Sequence, residues 1–268
     1  MASAFKTLLA CCFIFPSLSN AETYSFGIVP QQSASKLAAL WVPILHQVST
    51  ESGHKLIFKT AKNIPEFEKK LAEGEYDFSY MNPYHYTVFH KLSNYNAILK
   101  AKDKRIKGII VVKKNSPYKR LEDLSNQTIA FPSPAAFAAS ILTQSAFKQH
   151  NLNITPKYVS SHDSVYRNVA KGRLAAGGGV IRTFKNTEAS IKDQLTVLWT
   201  SDGFTPHAIA AHERVPSEDV KDIQKSFINL SSVEKTKKLL AKIKLKGLES
   251  AQNSDWDDVR ELKIEILK

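Results

Sequence analysis

Cysteine is nearly missing from this chain of 268 residues, and the two that occur, Cys11 and Cys12, stand side by side close to the start. Everything beyond them lacks a disulfide, a thiolate nucleophile and a cysteine-held metal, so its stability must come from a packed core. Long apolar runs are missing as well. The stretch from Leu8 to Phe15 falls short of the about 20 apolar residues that a membrane-spanning helix needs. No linker rich in Pro, Gly or Ser divides the sequence, and its eight histidines form no pair at metal-ligand spacing with a third ligand near by. No metal and no cofactor are therefore assigned.

Acid is the other shortage: 25 Asp and Glu face 37 Lys and Arg. Such a balance attracts anions in general, although the lysines between Lys235 and Lys246 read as the solvated face of one helix. Nucleic acid is not expected as a partner, because no basic patch is interleaved with stacking aromatics.

The first residues set the expected compartment. Lys6 precedes the short apolar run, and the small residues Ser19 and Ala21 follow at the spacing of a signal-peptidase site. Cleavage is expected after Ala21, leaving 247 residues exported to the periplasm; a competing reading takes Leu8-Leu9-Ala10-Cys11 as a lipoprotein signal. Only Lys6 leaves with the leader, so 36 bases against 25 acids give the remainder a net charge of +11.

Hydrophobic periodicity divides that remainder into alternating strands and helices. Thr23 to Val29 reads as a strand, and Ser33 or Ser35 caps a helix with Leu37, Leu40, Trp41, Ile44, Leu45 and Val48 on one face, bent at Pro43. A strand at Lys55 to Lys59, a helix capped by Asn63 with Pro65 in its first turn, and a strand at Tyr76 to Tyr80 complete a βαβαβ opening with parallel strands. A second series has strands at Ile109 to Val112, Thr128 to Phe131 and Lys157 to Val159, with helices at Ala135 to His150 and Ser164 to Lys171. Strands at Leu195 to Trp199 and Ala208 to Ala211 follow, then helices at Ser217 to Leu230, Ser232 to Leu245 and Asp255 to Ile266. Leu71-Ala72-Glu73-Gly74 before one strand is echoed by Val169-Ala170-Lys171-Gly172 before Leu174-Ala175-Ala176, which suggests two α/β lobes of similar plan. The chain is expected to pass between them near Ile106 and again near Pro206, making residues 22–106 and 207–268 one lobe and 107–206 the other.

In open α/β sheets a ligand sits beyond the carboxyl ends of the strands, which singles out four places. Tyr80-Met81-Asn82-Pro83 joins a strand to a helix start. Phe131-Pro132-Ser133-Pro134-Ala135-Ala136-Phe137 fixes a turn with two prolines and leaves the backbone N–H groups of Ala135, Ala136 and Phe137 open to an anion. Ser160-Ser161-His162-Asp163 offers another capped helix start, where adjacent Ser, His and Asp diverge too far to form a catalytic triad; taken alone, His162 reads as structural. Gly177-Gly178-Gly179 forms a thin strand that lets a backbone or a ligand come close, and Arg182, followed by Thr183, has the guanidinium to clamp an oxyanion. Alternatively Arg182 forms a surface ion pair with Glu188. No catalytic residue is assigned.

In their order and spacing these pieces resemble the phosphate/phosphite/phosphonate ABC-transporter solute-binding proteins. The resemblance runs from Phe26-Gly27-Ile28-Val29-Pro30 through Trp41-Val42-Pro43, Tyr76-Asp77-Phe78-Ser79-Tyr80-Met81-Asn82, Asp123-Leu124, the Pro132 turn, Ser161-His162-Asp163 and Val169-Ala170-Lys171-Gly172 to the C-terminal helices. It implies a two-lobed α/β fold of the type II periplasmic-binding-protein kind that closes on a ligand in its cleft. Tyr80 and Asn82 would line one wall. Ser133, Ala135, Ala136 and Phe137 match the phosphonate-holding turn, and Ser161 with His162 the second anion-contacting turn. Two departures stand out: Pro134-Ala135-Ala136 replaces the family's hydroxyl-rich run, and Arg182 stands where aminophosphonate binders carry an acid. Ile106 also falls where those binders place an aromatic.

The resemblance implies a monomeric carrier that delivers a small oxyanion to a membrane permease. The alternative is a ligand-sensing module that docks on a membrane sensor kinase or cyclase, which neighbouring permease and ATPase genes would argue against. A periplasmic phospho-hydrolase is disfavoured by the lack of a nucleophile and base pair. The exported protein is expected to begin at Glu22, which N-terminal sequencing of periplasmic material checks; lipid found on Cys11 would overturn it.

Overall fold

The computed structural model describes residues 21–267, so the leader and Cys11 lie outside the described residues. Two sheets divide the chain. The first half of the first lobe runs β1 (Thr23–Ile28), α1 (Ala34–Ser52), β2 (Lys55–Lys59), α2 (Ile64–Ala72), β3 (Phe78–Met81), α3 (Pro83–Leu92) and β4 (Tyr95–Ala101). The second sheet holds β5 (Gly108–Lys113), β6 (Thr128–Phe131), α4 (Thr143–Gln149), β7 (Thr155–Tyr158), α5 (His162–Ala170), β8 (Ala176–Val180), α6 (Ile181–Lys185), α7 (Ala189–Lys192) and β9 (Leu195–Thr200). The chain then returns through β10 (Ala208–His212), α8 (Ser217–Asn229), α9 (Glu234–Lys242), β11 (Leu248–Ser250) and α10 (Asp257–Arg260).

The strand orders are β11-β4-β10-β3-β1-β2 and β7-β6-β8-β5-β9. β1, β2 and β3 pair in parallel, as the βαβαβ pattern requires, while β10 runs antiparallel between β3 and β4. Sequence reading missed the short helices α6 and α7, and it missed β4 and β11, whose strand signal comes from pairing with distant partners rather than from their own composition. The two crossing segments are joined by a reciprocal backbone pair, Ile106 N–H to Phe204 O (2.8 Å) and Phe204 N–H to Ile106 O (2.9 Å).

Local chemistry sets the helix starts that face the cleft. Asn63 and Asn82 accept from the amides of Glu66 (2.9 Å) and His85 (2.8 Å), and Ser161 accepts from Ser164 (3.1 Å). Pro43 sits inside α1 with its ring on the exposed side, while Leu37, Trp41, Ile44, Leu45 and Val48 enter the core. The expected helix 135–150 starts instead as a π-helical turn, Phe137–Leu142, because the Ser140 hydroxyl reaches back to Ser133 O (2.6 Å) and holds the first turn wide. The expected helix 255–266 stops at Arg260. Lys263 takes a left-handed backbone (φ 47°), and the amides of Ile266 and Leu267 donate to the Tyr84 hydroxyl, each at 2.9 Å.

Strand β8 carries the glycines expected to follow a strand at 174–176, and it lies at the centre of its sheet. The close approach that its thinness allows is made by protein. A Cβ on Gly178 would stand 2.0 Å from Ala139 O and 2.6 Å from the Phe131 ring, and one on Gly179 2.3 Å from the Tyr166 hydroxyl. Ile110 and Val112 face one apolar cluster, and Ile109 and Val111 face the other, so both sides of the sheet are covered. Gly178→Ala should therefore destabilise by about 1–3 kcal/mol or more through overpacking. Gly172→Ala, in open space at φ 68°, should show only the backbone cost of about 1–2 kcal/mol. Urea unfolding of both variants checks this; a milder effect at Gly178 would contradict the packing argument.

Candidate functional site

β3 delivers Tyr80 to the cleft between the sheets with its ring almost wholly covered. Trp41 packs on it (centroids 4.7 Å), His207 stacks against it (4.8 Å, 15°), and the Arg182 guanidinium lies over it at 5.5 Å. Arg182 comes from α6 of the opposite lobe and donates to the Gln31 side chain. Among the described residues it makes no ion pair, so the expected alternative with Glu188 does not form.

The lobes meet through polar contacts that cross the cleft. His162 N–H donates to Gln31 O (3.0 Å), and Asn82 Nδ2 donates to Ala135 O (3.1 Å). Asp163, at the start of α5, accepts from Gln32 Nε2 (3.3 Å) and from the Ser33 amide (3.4 Å), with Lys36 at 3.8 Å. Ser33 occupies the cap position of α1 without a capping bond from its side chain, and this carboxylate from the other lobe sits at the helix start.

Of the residues singled out from sequence, Tyr80, Asn82, Ala136, Phe137, His162 and Arg182 border the cleft, and Ala135 joins them through its carbonyl. Three stand elsewhere. Ser161 is occupied in capping α5. Thr183 turns away, bonded to the Tyr166 hydroxyl (2.8 Å) and to His162 Nδ1 (3.1 Å), so it positions the imidazole rather than lining the space. Ser133 is buried with its hydroxyl unpartnered, and its carbonyl is held by Ser140.

Two adjoining spaces result. Between His162, His207, Asn82 and the Ala136–Ala139 backbone is a void of about 10 Å³, room for one water. The amides of Ala135 and Phe137 find no protein acceptor among the described residues, and His207 Nε2 is likewise buried without a partner. Toward the crossings, beyond the shared walls of Ile106, Val180 and His207, a cavity of about 330 Å³ opens. Lys104, Arg105, Lys107, Arg182, Lys185 and Lys244 border it, and no Asp or Glu does. Arg105 is spoken for by Asp258 (2.7 Å).

The electrostatics follow from burial and from this one-signed charge. Burial, aided by Arg182, lowers the His162 pKa to about 3 and drives that of His207 well below the usual imidazole value, so both are neutral at pH 7. Burial also lowers Lys104 to about 8, with Arg182 and Lys185 repelling the same charge. Sequence reading missed Gln31, His207 and Lys104. A signal for Lys104 was present in the clustered bases Lys100, Lys102, Lys104, Arg105 and Lys107 at the first crossing; none marked Gln31 or His207.

Residues 26–256 match a protein family described as "ABC transporter, phosphonate, periplasmic substrate-binding protein". The chain belongs to this family. Its members are substrate-binding components of transport, and the family's compartment is the periplasm. A curated relative, the phosphate-import protein PhnD of Mycolicibacterium smegmatis, is 20% identical over 235 residues, covering 79% of this chain and 73% of the relative. A binding-protein component of an ABC phosphonate transporter from Pseudomonas aeruginosa superposes with a TM-score of 0.83 at 15% identity, over 91% of this chain and 86% of that one. PhnD1 from Prochlorococcus marinus, solved with methylphosphonate, gives 0.82 at 16% identity, over 90% and 96%. The two-lobed α/β architecture expected from the sequence is thus that of this family. Among the described residues no helix is long and apolar enough to cross a membrane, and no cluster of His, Cys, Asp and Glu is placed to hold a metal.

The buried histidines give the site a pH dependence of stability. In the unfolded chain each binds a proton near pH 6.5, but in the folded protein neither does until much lower pH. The unfolded state therefore gains protons first as pH falls, and stability drops by up to about 1.4 kcal/mol per pH unit for each histidine below pH 6.5. His207→Phe keeps the stack on Tyr80 and removes one such group. Its unfolding free energy should fall less steeply than the parent's between pH 6.5 and 4.5; equal slopes would show that His207 is not held neutral.

Proposed function

We propose that this chain captures a phosphorus oxyanion between its lobes and hands it to the permease of an ABC importer, acting by binding and release without a chemical step. The lobes are taken as residues 22–106 with 207–268, and 107–206. The observation that carries the reading is Arg182: an ion-pair-free guanidinium fixed over Tyr80 and by Gln31, in a cleft whose other charged lining groups are also basic.

A phosphoryl group has the complementary chemistry. Its oxygens accept from the guanidinium bidentately, and the amides of Ala135 and Phe137 supply donors that carry no charge and need no side-chain hydroxyl. That answers the replacement of hydroxyl residues by Pro134-Ala135-Ala136. The relatives' reported cargo, phosphate in one and methylphosphonate in another, supports the same class. The void of about 10 Å³ is too small for an oxyanion, so binding requires the Asn82–Ala135 contact to part and the lobes to move. Five hydrogen bonds cross between the lobes, His162 and Arg182 to Gln31, Asn82 to Ala135, and Gln32 and Ser33 to Asp163, and at about 0.5–1.5 kcal/mol each they set the cost of opening that ligand binding offsets. Arg182 in place of an acid disfavours ligands carrying an ammonium group beside the phosphoryl.

Arg182→Ala should weaken binding of inorganic phosphate or methylphosphonate by about 2–5 kcal/mol, because the charged partner is lost inside a closed cleft. The unliganded protein's stability should barely change. Calorimetry of both proteins decides it, and equal affinities would remove Arg182 from the site.

A further inference from the structure

A single phosphoryl group leaves most of this cleft unexplained. The cavity of about 330 Å³ reaches the size at which sites for organic molecules begin, about 300 Å³. Five bases around it, Lys104, Lys107, Arg182, Lys185 and Lys244, have no acidic partner among the described residues. They come from three separate parts of the chain: the first crossing, α6, and the turn between α9 and β11. A lysine-rich helix face would bring such charges together along one element; here the tertiary fold converges them. Burial first, and then the nearby charges of Arg182 and Lys185, oppose the charge on Lys104. Lys104 is also anchored across the space by its bond to Lys244 O.

Resting on the oxyanion reading above, we propose that the ligand of this chain carries two linked phosphoryl groups, as in a diphosphate or an organic diphosphate, rather than one. The cleft has two adjoining compartments, the smaller of which takes a phosphoryl group once the Asn82–Ala135 contact has parted. Ile106, Val180 and His207 belong to the walls of both the small void and the large cavity, so the two spaces adjoin across these three residues and merge when the lobes part. One phosphoryl meets Arg182 and the amides of Ala135 and Phe137. The second lies among Lys104, Lys185 and Lys244, where three to four negative charges offset the repulsion that these bases exert on one another. The apolar walls at Ala101, Ile181, Pro206 and Leu245 leave room for a carbon substituent on the second group.

The test is titration calorimetry of the full mature chain with inorganic pyrophosphate, inorganic phosphate, methylphosphonate and citrate at one ionic strength. Pyrophosphate should bind at least about tenfold more tightly than phosphate or methylphosphonate, the two additional exposed ion pairs accounting for that factor. The double variant Lys185→Gln with Lys244→Gln should lower pyrophosphate affinity by about tenfold and phosphate affinity by less than about threefold. Circular dichroism and thermal unfolding of the variant verify that it folds. Phosphate or methylphosphonate binding as tightly as pyrophosphate, or a double variant that weakens both equally, overturns the two-phosphoryl assignment while the oxyanion reading stands. Binding of citrate with no binding of any phosphorus compound overturns both.

Discussion

One positive charge with no counter-ion among the described residues organises the cleft. The Arg182 guanidinium lies over the Tyr80 ring and is steered by Gln31, and it contributes to keeping His162 and His207 neutral and to lowering Lys104. An arginine in that position cannot shed its proton, so it adds to the effect of burial in lowering His162, His207 and Lys104, and the Tyr80 ring lies under it. Tyr80 is itself fixed between Trp41 and His207, which ties the charge to the core of the first lobe although its backbone belongs to the second.

Closure and charge are coupled through the same few contacts. Gln31 accepts from the His162 backbone and from Arg182, and the adjacent Gln32 and Ser33 donate to Asp163. The start of α1 therefore meets the starts of both α5 and α6, so any movement of one lobe changes the hydrogen bonding of the charged group. These bonds are few, and each contributes little net energy, while the Ile106–Phe204 pair ties the two crossings together. Apolar packing adds to them, since Ala135 to Ala139, Leu142 and Val180 of the second lobe share one buried cluster with the core of the first.

The turn at residues 132–137 shows how an altered sequence keeps an oxyanion geometry. Small residues let the π-helical turn press against the glycine strand, where Ala139 O sits within reach of Gly178. Alanines and glycines are thus matched across the second lobe. A larger residue at either surface would push the turn into the cleft, and hydroxyls at 135 or 136 are not needed when the amides themselves are open. The same packing explains why the glycine run, legible as a thin strand, receives protein backbone rather than a ligand.

Periodicity, caps and breakers were enough to recover β1 through β3, β5 through β7, α5, β9, β10, α8 and α9, because those elements are specified by local contacts and by an apolar face; the short helices α6 and α7 went unread. The family order of Tyr80-Met81-Asn82, the Pro132 turn and Ser161-His162-Asp163 likewise pointed to the cleft, and Arg182 was visible as a departure from it. The tertiary structure alone decided that Ser161 and Thr183 support rather than line the site, and that β4 and β11 are strands. It also decided that Gln31, His207 and Lys104 belong beside Arg182. Those residues come from the first lobe and its crossings, 78 to 151 positions from Arg182 or on the far side of a strand return, as the Gln31 contact illustrates. Convergence over such distances depends on sheet order and lobe closure, and a one-dimensional pattern holds no record of which distant groups those will bring together.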